Sequence, residues 1–149
     1  MDDDGLKLGD VTLGFWVPPY PVAYREGDAH PIVMEVSARA GLFQGRITGE
    51  GDVADIIRLY HLLAALDTRV GQEAGADFSL DLDYGEDGWL QMKFGLKPLG
   101  ELVIDAVLGA GSDSATQLVC STTLDQTYLR IWMTRLREII ARYLPAFEG

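Results

Sequence analysis

From Val11 onward apolar residues alternate with others: Val11, Leu13, Phe15 and Val17 are separated by Thr12, Gly14 and Trp16, the period of two expected of a half-buried strand. The same period returns at Ile32, Met34, Val36 and Ala38, and again at Phe43, Gly45 and Ile47 beyond a turn at Ala40-Gly41. A two-residue loop there predicts Ala38 opposite Phe43 and Glu35 opposite Arg46, pairing apolar with apolar and acid with base. Further along, Phe78, Leu80, Leu82 and Tyr84 share one face, followed by Leu90, Met92, Phe94 and Leu96, then Leu102, Ile104, Ala106 and Leu108. QLVCSTTL supplies a fourth strand of this meander, with Leu118, Cys120, Thr122 and Leu124 inward.

Two segments carry the helical period instead. Asp52 is the expected N-cap of the first, Asp55 adds negative charge to its first turn, and apolar residues recur at 53, 56, 57, 60, 63 and 64 before Gly71 ends it. Leu59, Leu62 and Leu66 form an adjoining strip, expected to be covered by the sheet and by a long loop, with a partner-binding strip as the rival reading. Asp125 is the expected N-cap of the second helix, whose inner face is Leu129, Trp132, Met133, Leu136, Ile140 and Tyr143 until Pro145. Between the first two strands, PPYPVAYREGDAHP holds four prolines and reads as a surface loop. No internal repeat is evident.

The order predicts an α+β fold: a mainly antiparallel sheet of seven strands with two helices packed on one face. Residues 1–5 are expected to be a disordered acidic tail and 6–149 a single domain, a common size for one core.

The chain has 23 acidic and 12 basic residues, for a formal charge of −11. Such a surface attracts basic partners and repels phosphate backbones and anionic membranes, so nucleic acid and membranes are not expected partners. The acidic start and absence of a long apolar stretch point to a cytoplasmic protein without a membrane span.

Candidate chemistry is sparse. DFSLDLDYGEDG invites a calcium-loop reading, but counting from Asp81 places Gly85 at the fifth slot and Met92 at the twelfth, where glycine belongs at the sixth and glutamate at the twelfth. A hairpin fits better: Leu82 opposite Met92 and Tyr84 opposite Leu90 leave the loop Glu86-Asp87-Gly88. Leu96 opposite Leu102 leaves Pro98-Leu99-Gly100, again three residues ending in glycine. This register sets Lys93 between Asp81 and Asp105.

Cys120 reads as a buried inert thiol, since neither histidine, His30 or His61, is brought near it by spacing. No phosphate-binding glycine loop, zinc spacing or nucleophile elbow is present, and no metal, cofactor or catalytic residue is expected. A small-molecule pocket or active site where Tyr20, Tyr24, His30 and His61 converge is the alternative. The meander's outer face is more suggestive. Trp89, Val103, Val107 and Val119 should point outward among acids, a contact surface for a protein partner or a homodimer. Its expected binding residues are Asp83, Glu86, Asp87, Trp89 and Asp105.

VMEVSARAGLFQGRI followed by DVADIIRLYHLLAAL, then DFSLDLDYGEDGWLQMKFGLK and LDQTYLRIWMTRLREII, resembles the WapI-type immunity proteins and related small bacterial families of unknown function. The resemblance spans residues 6–144. It implies a non-catalytic inhibitor that binds a cognate toxin domain and occludes it, and an acidic inhibitor suits a basic toxin.

Overall fold

The computed structural model describes residues 5–16, 31–83, 88–111 and 116–144, with Phe15 and Trp16 described by backbone alone. The expected tail at 1–4, most of the proline-rich loop and the tip at 84–87 lie outside these residues. Gly5, assigned to the tail by the sequence, instead opens a strand.

Eight strands form two antiparallel sheets of four, where the alternation predicted one sheet of seven. The first sheet runs β1 (Gly5–Leu8), β2 (Val11–Trp16), β3 (Pro31–Ala40) and β4 (Phe43–Asp52) in order, followed by α1 (Val53–Asp67). The second runs β5 (Ala74–Asp81), β6 (Trp89–Leu96), β7 (Glu101–Gly109) and β8 (Gln117–Asp125), followed by α2 (Tyr128–Tyr143). The additional strand is β1, whose Leu6 and Leu8 are buried. Leu8 faces Val11 across a two-residue Gly9-Asp10 turn, and Gly9 takes φ +66°, a conformation that costs glycine little.

The chain is thus two successive ββββα units, a repeat carried by topology and inward patterning that the sequence alone did not disclose. The units interlock. The α1 guanidinium of Arg58 lies 4.7 Å from the centroid of Phe78 on β5, while α2 reaches back to the first sheet through Arg135 Nε, which donates to Gly5 O at 3.1 Å. Each helix therefore engages the first strand of the other unit. The helices also pack on each other in antiparallel fashion: Arg130 pairs with Asp67 at 3.3 Å, and Arg137 donates to the Tyr60 hydroxyl.

Inward residues follow the predicted alternation almost throughout. Leu6, Leu13, Val36 and Ile47 form one buried row across the first sheet, and Phe78, Met92 and Ala106 continue to Cys120 across the second. Leu59 and Leu66 are buried and Leu62 is partly so, on a helix that packs against α2, while the long loop expected to help cover them lies outside the described residues. Ile139 joins the inner face of α2, while Met133 and Tyr143 sit at its margin.

Two registers differ from expectation. Ala38 faces Gly45 and Ala40 faces Phe43, so the two-residue turn is Gly41-Leu42 with Gly41 at φ +62°. Glycine occupies the first turn position, where primed hairpin turns need positive φ. Glu35 consequently faces Thr48, yet its carboxylate still reaches Arg46 diagonally at 3.7 Å. In the second sheet Leu80, not Tyr84, faces Leu90. The hairpin keeps this register beyond the strands, Leu82 N donating to Gly88 O at 2.9 Å, and Asp83 then pairs with Glu50 of β4: Glu50 N donates to Asp83 O at 2.7 Å and Asp83 N to Glu50 O at 3.0 Å. The next turn follows the prediction, with Leu96 opposite Leu102 and Gly100 at φ +102°.

Asp52 caps α1 as expected, its carboxylate accepting from Ala54 N at 2.9 Å, and Asp55 accepts in return from Asp52 N at 3.1 Å. The helix ends at Asp67, four residues before Gly71. At α2, β8 extends through Asp125 and Thr127 is the N-cap. Asp125 still acts there, accepting from Thr127 N at 2.8 Å.

Candidate binding surface

The solvent face of the second sheet is a lattice fixed by register. One row across the strands is Asp81, Trp89, Gly109 and Gln117; the next is Ser79, Gln91, Val107 and Val119; the third is Asp77, Lys93, Asp105 and Ser121. Beyond these lie Gly75, Gly95, Val103 and Thr123, and then Glu101 opposite Asp125. The face therefore presents five carboxylates, Asp77, Asp81, Glu101, Asp105 and Asp125, against Lys93, with Lys97 beside Glu101 at its edge.

The solvent face of the first sheet is balanced in charge. Lys7, Arg39 and Arg46 stand there with Glu35, Glu50 and Asp52. Negative potential is consequently concentrated on one side of the molecule, a distribution that composition could not disclose.

The expected binding residues separate on this geometry. Trp89 is half-buried because its indole lies against Gly109 in the neighbouring strand, where a side chain on residue 109 would collide with it. Asp105 is exposed and accepts from Ser121 Oγ at 2.6 Å, with Lys93 directly opposite on β6. Asp83 is exposed but belongs to the junction with β4 and not to this lattice. Glu86 and Asp87 lie outside the described residues. Lys93 does sit between two carboxylates, with Asp77 in the place expected for Asp81. Asp77, Glu101 and Asp125 are further acids of the face; their odd-numbered positions were the available signal, obscured at β5 by the register.

Val119 is 63% exposed, while Val103 and Val107 are half-buried. With Trp89 they give the face an apolar component between its acidic rows. The expectation that these groups point outward is met.

The alternative chemistry is less developed. Cys120 is buried opposite Ala106, and burial raises its thiol pKa, with Asp10 and Asp105 pushing the same way. These effects hold it as the weakly nucleophilic thiol. His61 is exposed on α1, its ring edge-on to Tyr60 at 5.7 Å between centroids; the other members of the imagined pocket, Tyr20, Tyr24 and His30, lie outside the described residues. Among the described residues no group of three or more His, Cys, Asp or Glu side chains could hold a metal ion. Nor is any helix among them long and apolar enough to cross a membrane.

No family model matches this chain, and no curated protein matches it. A solved structure of the plant transcriptional regulator PBF-2 aligns over 95% of this chain and 89% of its own, at 10% identity and a TM-score of 0.49, a likeness that carries no argument about this protein.

Proposed function

We propose that this chain is a non-catalytic cytoplasmic binding protein that neutralises a cognate toxin domain by occlusion, as the resemblance to WapI-type immunity proteins implies. The observation that supports this reading is the charge of the second sheet's solvent face, where five carboxylates stand against Lys93 and Lys97. A toxin that handles a phosphate-bearing substrate needs a basic active site. An opposed acidic sheet would accelerate encounter, orient the complex and deny the site to substrate.

A rigid sheet face also suits an inhibitor because little conformational freedom is lost on binding. Substitution of His61, which is outside that face, should leave neutralisation intact. The deciding experiment co-expresses the chain with the toxin domain encoded beside it. Rescue of growth, together with a purified complex whose affinity falls steeply with added salt, is the expected result. Absence of both rescue and complex would overturn the proposal.

A further inference from the structure

The face that draws a basic partner is not uniformly acidic. Down β7 the outward residues are Val107, Asp105, Val103 and Glu101, so apolar and acidic groups alternate. Successive outward residues of a strand are about 7 Å apart. Beside Val107, β8 contributes the exposed Val119; one row away Trp89 rests on Gly109. Among the described residues nothing covers this row.

Resting on the same face as the proposed function, we infer that the occupant is a basic protein segment presenting an aliphatic or aromatic side chain to Trp89, Val107 and Val119, with lysine or arginine about 7 Å away meeting Asp105. Charge complementarity selects this occupant over a second copy of the chain, since two such faces would oppose carboxylate to carboxylate. It also assigns the tasks. The carboxylates set approach and orientation, while the apolar row is the part dehydrated on contact and discriminates among basic surfaces.

The test uses the full chain, labelled with ¹⁵N, and two synthetic peptides as probes. One is Lys-Thr-Leu-Thr-Lys-Thr-Leu-Thr-Lys, whose leucines and lysines alternate on one side when extended; the other replaces both leucines by threonine. The leucine peptide should shift the amide signals of Gln91, Asp105, Val107 and Val119 saturably, and the threonine peptide should bind about tenfold more weakly. Val119→Asp separates the two contributions because it adds a charge and removes an apolar contact at an exposed position. The inference expects it to weaken the leucine peptide; strengthened binding would show that charge alone acts. Val107→Thr, which adds no charge, should weaken the same peptide while the amide spectrum retains the folded pattern.

Equal affinities for the two peptides, or shifts spread evenly over the surface, would overturn the inference. Concentration-dependent broadening of these same amides without peptide would assign the face to a second copy and overturn it likewise. Failure of toxin rescue with the peptide pattern intact would remove the proposed function and leave this contact row standing, whereas rescue with evenly spread shifts would do the reverse.

Discussion

The indole of Trp89 lies so close over Gly109, its partner across β6 and β7, that residue 109 has no room for a Cβ. This contact holds a large aromatic side chain against the candidate surface. Gly109→Ala should therefore displace the ring, expose it to water and cost about 1–3 kcal/mol through overpacking. Urea unfolding would measure the loss, and a red shift in tryptophan emission would report the displacement. Unchanged stability and emission would show that the contact relaxes freely.

At α1 the reciprocal bonds between Asp52 and Asp55 satisfy donors that a helix start leaves open. Asp52→Ala should cost about 1 kcal/mol, read as a lower urea midpoint with an unchanged slope. Asp52→Ser should recover most of that loss, because serine can accept the same N–H. A cost equal to that of alanine would show that the carboxylate acts through charge.

Which face each strand residue occupies was legible, whereas pairing partners were legible only where the connection is local. Side chains alternate with period two, so an even shift in register leaves every residue on its expected face. Ala38 meets Gly45 instead of Phe43, a shift of two, and Leu90 meets Leu80 instead of Tyr84, a shift of four. Both errors preserved the inward set and the outward Trp89, Val107 and Val119. Gly100 could be placed because its loop is closed by its neighbours, Lys97 and Glu101. Asp83 could not, since its partner Glu50 lies in the other sheet and no local pattern announces the pairing. The acid opposite Lys93 was misassigned by the same shift of four. The repeat of the ββββα unit was invisible for a related reason: equivalent strands share alternation and order, which many sequences satisfy.

The units are also joined at Asp10 and Thr122, 112 positions apart in the chain. The Thr122 hydroxyl donates to Asp10 Oδ2 at 3.0 Å and accepts from Asp10 N at 3.3 Å, fixing the β1–β2 turn against β8. Thr122→Val preserves shape and removes both bonds. It should cost about 0.5–1.5 kcal/mol, and the share carried by the carboxylate bond should vanish when Asp10→Ala is already present, while the bond from Asp10 N persists. A double-mutant cycle measured by urea unfolding checks the coupling; fully additive costs would show that the carboxylate bond does not join the units energetically.

Asp125 gives stability a pH dependence at the entry to α2. Hydrogen bonds from the backbone N–H and the side chain of Thr127 hold its carboxyl pKa below the ordinary value, outweighing a small opposing effect of desolvation. The folded state therefore binds the proton less readily than the unfolded state. Its contribution is present in full above the unfolded-state pKa, declines as pH falls, and is lost once pH passes below the folded-state pKa. Asp125→Asn removes this titration. Unfolding curves from neutral pH down through the carboxylate range should show the wild-type advantage shrinking steadily with acid, and a side-chain NMR titration should place the native Asp125 midpoint below that in the urea-unfolded chain. A constant stability difference across that range would show that the Thr127 hydrogen bonds do not discriminate between the protonation states.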